Sequence, residues 1–224
     1  MSAVLITGAN RGIGLELVRQ YAADGWKVHA CCRTPGKASD LKALPGDITI
    51  HALDVADVNA IKTLGASLDE PLDVVIANAG LGGKEVGDFG AIDYDAFANL
   101  LAVNTLGPIS MLEAFAPHLK ETKGKFAAIT SELGSVARAS GYAPAYSTSK
   151  AALNMAVKSY AATLAAAGVA IAPLHPGWVR TDMGGASAPV TPRESVSGLR
   201  NRITEMQATP SPRYLDFSGA ELPW

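Results

Sequence analysis

Short runs of β-branched and other apolar residues alternate with longer amphipathic stretches along most of the chain, and this alternation restricts the folds open to it. Strands are expected at Ala3–Thr7, Lys27–Cys32, Ile48–Leu53, Asp73–Ala77, Lys125–Thr130, Val169–Leu174 and near Tyr214–Phe217. Helices are expected at Gly14–Ala23, Asp57–Leu68, Tyr94–Leu119 and Ala145–Ala167. Strands such as Val74-Val75-Ile76 are apolar without a break, as strands buried on both faces must be. Strand and helix in strict turn therefore imply an α/β fold, a parallel sheet with helices on both faces. No repeat or linker divides the 224 residues, so a single domain is expected. The segment 184–212 is richer in Ser, Pro and Thr, and reads as a surface excursion or short lid at about 183–212.

Charge and cysteine content narrow the function. Nineteen basic and 21 acidic residues leave a formal charge of −2, against the basic excess that nucleic-acid binding calls for. The longest stretch free of charge, Ser159 to Val179, is interrupted by Gly168, Pro173, Pro176 and Gly177, so it reads as a buried helix and strand and not as a membrane span. Cys31 and Cys32 are adjacent, a poor geometry for a disulfide, and the first residues carry no basic leader. A soluble cytoplasmic protein is expected, with no membrane or nucleic-acid partner. His29, His51, His118 and His175 show no metal-ligand spacing, so no metal is expected.

Of the 22 glycines, 13 fall at 8–14, 80–90, 134–141 and 177–185, each group after an expected strand. The first, Gly8-Ala9-Asn10-Arg11-Gly12-Ile13-Gly14, joins the first strand to the first helix. Glycines there allow a tight turn and let backbone N–H groups reach a pyrophosphate, while the helix N-terminus adds partial positive charge. The second strand ends Cys31-Cys32-Arg33 with no acid to hold ribose hydroxyls. Arg11 and Arg33 suit a 2′-phosphate through charge-assisted bonds, so the expected cofactor is NADP(H). Asp54, followed by Val55 after the third strand, is placed either at the adenine edge or as a helix N-cap.

Tyr146 and Lys150 stand at i and i+4, on one face of the expected helix. A tyrosine works as an acid or base near neutrality only if its pKa falls from ~10 toward ~7. An ammonium at about 4 Å, at an effective dielectric of ~20, supplies about 4 kcal/mol, or roughly three pH units. One lysine is thus of the right size for the task. There is no G-x-S-x-G elbow to support a serine hydrolase.

The glycine loop, Asn78-Ala79-Gly80 after the fourth strand, the Tyr146/Lys150 pair and Pro176-Gly177 after the sixth occur in order, and together they resemble the short-chain dehydrogenase/reductase family. The likeness runs over most of the chain. Within the family, Pro176-Gly177-Trp178-Val179-Arg180-Thr181-Asp182-Met183 and the ending Glu221-Leu222-Pro223-Trp224 are similar to the small C-factor-like (C-signal) carbonyl reductases. The resemblance implies a Rossmann-type doubly wound sheet of about seven strands. It also implies hydride transfer between nicotinamide and a carbonyl or alcohol carbon, with homodimers or homotetramers formed through the 94–119 and 145–167 helices.

Carried over residue by residue, the resemblance makes Tyr146 the proton donor and Lys150 its tuner and a ribose ligand. Ser131, in Ser131-Glu132-Leu133-Gly134, would bond the substrate carbonyl. Fifteen residues separate Ser131 from Tyr146, longer than usual in the family, which leaves Ser135 as a rival. The backbone of Asn104 would hold a water that relays protons to Lys150; alternatively Asn104 marks a helix kink. Asn78 would steady the sheet centre and line the cofactor cleft. The backbone of Pro176, Gly177 and Val179 would flank the nicotinamide, and Thr181 would meet its carboxamide or the pyrophosphate. The substrate pocket is expected from 81–92, 133–144 and 183–190, with Phe89, Leu133, Val136, Tyr142 and Met183 making it apolar. Two other readings stand beside the enzyme: a non-catalytic cofactor-binding signalling or sensor protein, and an epimerase or dehydratase. The latter usually carries an extra substrate domain, for which this chain has no room.

Overall fold

The computed structural model describes all of residues 1–224. Seven parallel strands form one sheet: β1 (Ala3–Thr7), β2 (Lys27–Cys32), β3 (Ile48–Ala52), β4 (Val74–Ala77), β5 (Lys125–Ile129), β6 (Ala170–His175) and β7 (Leu215–Asp216). Their order is β3-β2-β1-β4-β5-β6-β7. This is the Rossmann-type doubly wound arrangement. The winding reverses at β1, between β2 and β4, which opens a crevice at the carboxyl ends of β1 and β4.

Alternate strand residues enter two cores. Leu5, Val75, Phe126 and Ala128 face one side, packed under α3 (Val58–Ser67), α5 (Gly107–Thr122) and α6 (Pro144–Ala166). Val4, Ile6, Ile76 and Ala127 face the other, under α1 (Gly12–Ala23), the short α2 (Ser39–Lys42) and α7 (Pro192–Glu205). Burial on both faces is why these strands are apolar throughout.

Two sequence expectations are corrected. The single helix expected at Tyr94–Leu119 is instead α4 (Tyr94–Leu101), a π-turn at Ala102–Leu106, and then α5. Pro108 has no N–H for the Asn104 carbonyl, so α-type bonding cannot continue there. The second correction concerns 184–212. Within it, α7 buries Val196, Leu199 and Ile203 against the sheet, at the i, i+3, i+7 spacing of a helix face. Thr191 and Glu194 form a capping box ahead of it, with Pro192 at its first position. The stretches before Thr191 and after Glu205 remain as the excursion.

Candidate active site

The crevice is a cavity of ≈ 510 Å³ that runs from the β2 end, over the glycine loop, to Tyr146 and Lys150. Its floor is held by one side chain at the end of β1 and one just past β4. Thr7 Oγ1 accepts the N–H groups of Asn78 (3.0 Å) and Ala79 (3.1 Å), and Asn78 Nδ2 donates to the Thr7 carbonyl at 2.9 Å. Asn78 thereby fixes the ends of β1 and β4 at the point where the winding reverses.

The glycine loop leaves no room for side chains. Gly8 has φ +67°, and a Cβ on Gly14 would lie 2.1 Å from the Gly8 carbonyl oxygen. No side chain caps α1 at Arg11, and no acid lies in its first turn, so the leading N–H groups face the cleft beside Asn10, Gly12, Ile13 and Gly14. That is a cradle for a pyrophosphate. Arg33 lines the β2 end together with Lys37, which the sequence reading passed over. A 3₁₀ turn at Pro35–Lys37 brings the lysine back to the cleft, and its position four residues beyond Arg33 was the available signal. Asp54 and Val55 line the same end. Asp54 accepts the Ala56 N–H at 3.0 Å, and the capping of α3 belongs to Asp57. Arg11 lines the cleft but pairs with Asp182 across its mouth at 2.9 Å, both side chains being well exposed. These residues fit a dinucleotide with an anionic group on its adenosine end.

At the opposite end, Ala79, Gly80, Pro176 and Thr181 complete the wall. Gly177 and Val179 do not line the cavity. A Cβ on Gly177 would meet the Phe217 ring at 2.7 Å, and Val179 is buried in a bridge to Val190. Thr181 Oγ1 accepts the Gly184 N–H at 3.2 Å, which closes a turn and caps no helix.

Tyr146 lies in the first turn of α6 with Ser131 beside its phenol; the Ser131 hydroxyl oxygen accepts the Leu133 N–H at 3.2 Å. Lys150 is only 4% exposed; its Nζ donates to the Ile129 carbonyl at 2.9 Å and lies 5.8 Å from the Tyr146 ring centre. Burial lowers the lysine pKa to about 8. Burial raises the tyrosine pKa above its ordinary value, and the Ser131 hydrogen bond opposes that rise. The lowered phenol expected from one nearby ammonium is therefore not found. The amine is itself so desolvated that its charged form is weakened, and its bonding is directed to a backbone carbonyl.

Ser131 and Ser135 are told apart by their partners. Ser135 is buried with its hydroxyl directed to the Trp224 carbonyl, at 3.5 Å, while Ser131 meets Tyr146. Asn104 is fully buried and does not line the cleft. Its side chain holds both backbone groups of Leu81 (2.8 and 2.9 Å) and the Ser149 hydroxyl at 3.0 Å. It sits in the π-turn, so the kink and the clamp belong to one residue. Of the expected pocket segments, Leu81 and Met183 line the cavity; Phe89, Leu133, Val136 and Tyr142 do not, and Phe89, Val136 and Tyr142 are exposed. His29 and His51 stack at the sheet edge, with ring nitrogens 3.0 Å apart, outside the cleft.

Fold and cleft together define a nucleotide-binding oxidoreductase architecture with a tyrosine–lysine pair. Comparison with known proteins gives the family. The short chain dehydrogenase family model matches residues 2–190, and the chain belongs to that family. It is 41% identical over 156 residues to C-signal of Myxococcus xanthus, covering 69% of this chain and 93% of that protein. It is 34% identical to 1-hydroxy-2-glutathionyl-2-methyl-3-butene dehydrogenase of Rhodococcus sp. strain AD45, with both chains covered completely. Among solved structures, the NADPH-bound carbonyl reductase from chicken fatty liver superposes with a TM-score of 0.89 at 31% identity, covering 100% of this chain and 99% of that one.

Proposed function

We propose that the chain is an NADP(H)-dependent short-chain carbonyl reductase, working in reverse as an alcohol dehydrogenase. The observation that carries this is the pair Tyr146 and Lys150 at one end of a cleft whose far end bears Arg33 and Lys37, with Ser131 beside the phenol. The NADPH-bound state of the chicken carbonyl reductase supports the choice of cofactor. The glycine loop and the α1 N-terminus would hold the pyrophosphate, and Arg33 and Lys37 the 2′-phosphate, by charge-assisted bonds. Bound there, the cofactor supplies the hydride and, once oxidised, a positive charge near the phenol.

The chain's own residues handle the proton. Ser131 donates to the substrate carbonyl oxygen and holds it against Tyr146. As the carbon becomes tetrahedral, the Tyr146 phenol passes its proton to that oxygen. Lys150, charged below about pH 8, stabilises the phenolate that forms and returns a proton to it. Asn104 keeps the 81 loop against α6 and marks the backbone from which protons are relayed.

The rival reading, a cofactor-binding signalling protein, has the likeness to C-signal behind it. The intact set of Asn104, Ser131, Tyr146 and Lys150 favours the enzyme, because binding alone does not call for it. The deciding experiment is NADPH oxidation with a panel of aldehydes and ketones, comparing wild type with Tyr146→Phe. Turnover by wild type that the variant loses supports the enzyme; tight NADPH binding with no turnover on any carbonyl supports the sensor.

Two further parts belong to the proposal. The free thiols of Cys31 and Cys32 agree with a cytoplasmic protein. A homodimer or homotetramer through α5 and α6 would cover the apolar groove between Ile109, Leu112, Ala116, Tyr160 and Leu164. Sedimentation of the pure protein reads this directly.

A further inference from the structure

Beneath the catalytic end lies a buried polar network that the proton-transfer scheme does not use. Tyr214, just ahead of β7, is 0% exposed. Its hydroxyl donates to the backbone carbonyl of Ser131, close to the Asn154 side chain. Asn154, one helical turn beyond Lys150 and also buried, accepts from Thr130 Oγ1 at 2.7 Å and donates to the Gly134 carbonyl at 3.2 Å. The segment 130–134 is thus tied at residues 130, 131 and 134 to two side chains.

Gly134 shows how closely this segment is seated. A Cβ there would lie 2.8 Å from Asn154 Nδ2 and 2.9 Å from the Lys150 backbone carbonyl carbon. Burial raises the Tyr214 pKa to about 12, so the phenol keeps its proton and remains a donor at any ordinary pH. The same C-terminal stretch holds the next residues of the loop: the Trp224 carbonyl accepts the Ala137 N–H at 3.2 Å, and the Tyr214 and Trp224 rings lie 5.6 Å apart.

We propose that Tyr214, working with Asn154, is a positioning residue: it fixes the Ser131 backbone so that the Ser131 hydroxyl stays beside the Tyr146 phenol. This deepens the enzyme reading above and rests on its roles for Ser131 and Tyr146. The Ser131 carbonyl also accepts the Gly134 N–H at 2.8 Å, so the buried Tyr214 hydroxyl is its second donor, and that bond is strengthened in a dry setting. Small losses of alignment in a reacting constellation reduce rate far more than they reduce binding.

The test is a double-variant cycle of Tyr214→Phe and Ser131→Ala, read in two ways. In the carbonyl reductase assay, Tyr214→Phe is expected to lower kcat roughly tenfold, with the Kd for NADPH unchanged. In a Ser131→Ala background the same change is expected to have no further effect on kcat. The second reading needs no turnover. At neutral pH, the Cζ carbon resonance of Tyr146, labelled with ¹³C-tyrosine and assigned through Tyr146→Phe, reports the phenol's hydrogen bond. Tyr214→Phe is expected to move it toward its position in Ser131→Ala, and the double variant to superpose on Ser131→Ala.

Equal kcat losses in both backgrounds, or an unmoved Tyr146 resonance in Tyr214→Phe, would overturn the proposal. If wild type turns over no carbonyl, the enzyme reading fails, and the resonance still decides whether Tyr214 sets the Ser131–Tyr146 contact. Should Tyr214→Phe not fold, Thr130→Val, which removes one anchor of Asn154, must shift the same resonance in the same direction. No shift in that variant counts against the proposal.

Discussion

The two ends of the cleft are built in different ways. The cofactor end is built mainly on the ends of central strands and helix backbone: Gly8, Gly12 and Gly14, the uncapped start of α1, and the Thr7–Asn78 clasp, with Arg33 and Lys37 at its far edge. A Cβ added to Gly14 meets a carbonyl oxygen at 2.1 Å, so this end is close-packed before any ligand enters. The substrate end is made of side chains on loops, and they face solvent. Phe89 is 97% exposed, and Val136 and Tyr142 are exposed as well. A site of this kind lets the fold fix the cofactor end while substrate choice rests on exposed residues that contribute little to the fold.

The sharpest test lies where the ends meet. Tyr146→Phe removes one hydroxyl and should lower kcat by about 10²–10⁴-fold, the usual range for a positioned acid. NADPH affinity by fluorescence titration should stay within twofold. A large loss of NADPH affinity would mean that Tyr146 belongs to the cofactor end and that the division is false. Gly14→Ala probes that end directly. Forcing a methyl group into a packed site costs about 1–3 kcal/mol, so melting should fall by roughly 2–10 °C, with NADPH binding weakened as well. Unchanged melting and binding would show that the loop can give way.

Charge discrimination comes next in size. Arg33→Ala or Lys37→Ala should each weaken NADPH binding by about 10-fold or more, the worth of a hydrogen bond to a charged group. NADH binding should not change. Equal losses for both cofactors would remove the 2′-phosphate assignment. The pH profile follows from Lys150, and its sign can be worked out. Reduction needs a protonated Tyr146 and a charged Lys150; both hold at low pH, and the lysine loses its proton first, near pH 8. The kcat/KM for reduction should therefore fall as pH rises through about 8. Stability should move the other way. The folded pKa of Lys150 lies below its ordinary 10.5, so the unfolded chain binds more protons between about 8 and 10.5, and this group's contribution to stability rises with pH across that window. In Lys150→Met both dependences should vanish.

What the sequence made legible follows the same division. Strand positions came from unbroken apolar runs, because burial on both faces leaves a strong pattern. The glycine loop, Asn78, Tyr146 and Lys150 were legible because backbone geometry and helical spacing fix them locally. Lys37 was not, since its place depends on a 3₁₀ turn folding back to the cleft. Helix α7 was missed because its surface is strongly polar and only Val196, Leu199 and Ile203 mark its buried face, although its capping box was visible. The direction of the Tyr146 shift was misjudged for a related reason. Spacing reveals that a lysine is near, but not that burial weakens its charge.

The smallest effect is expected at the exposed rim, and it bears on the comparison most directly. Phe89 has almost no contact surface to lose, so Phe89→Ser should change unfolding free energy by less than about 0.5 kcal/mol. NADPH binding should be untouched, because Phe89 does not line the cofactor cavity. If the loop lies over a bulky apolar carbonyl substrate, KM for such substrates should rise severalfold while KM for small aldehydes stays the same. The serine removes apolar surface that only the larger substrate could cover, and full burial of a phenylalanine is worth about 1.5–3 kcal/mol. A uniform change in KM across small and large substrates would show instead that the ring acts on the shape of the loop, and that the open end is more ordered than its exposure suggests.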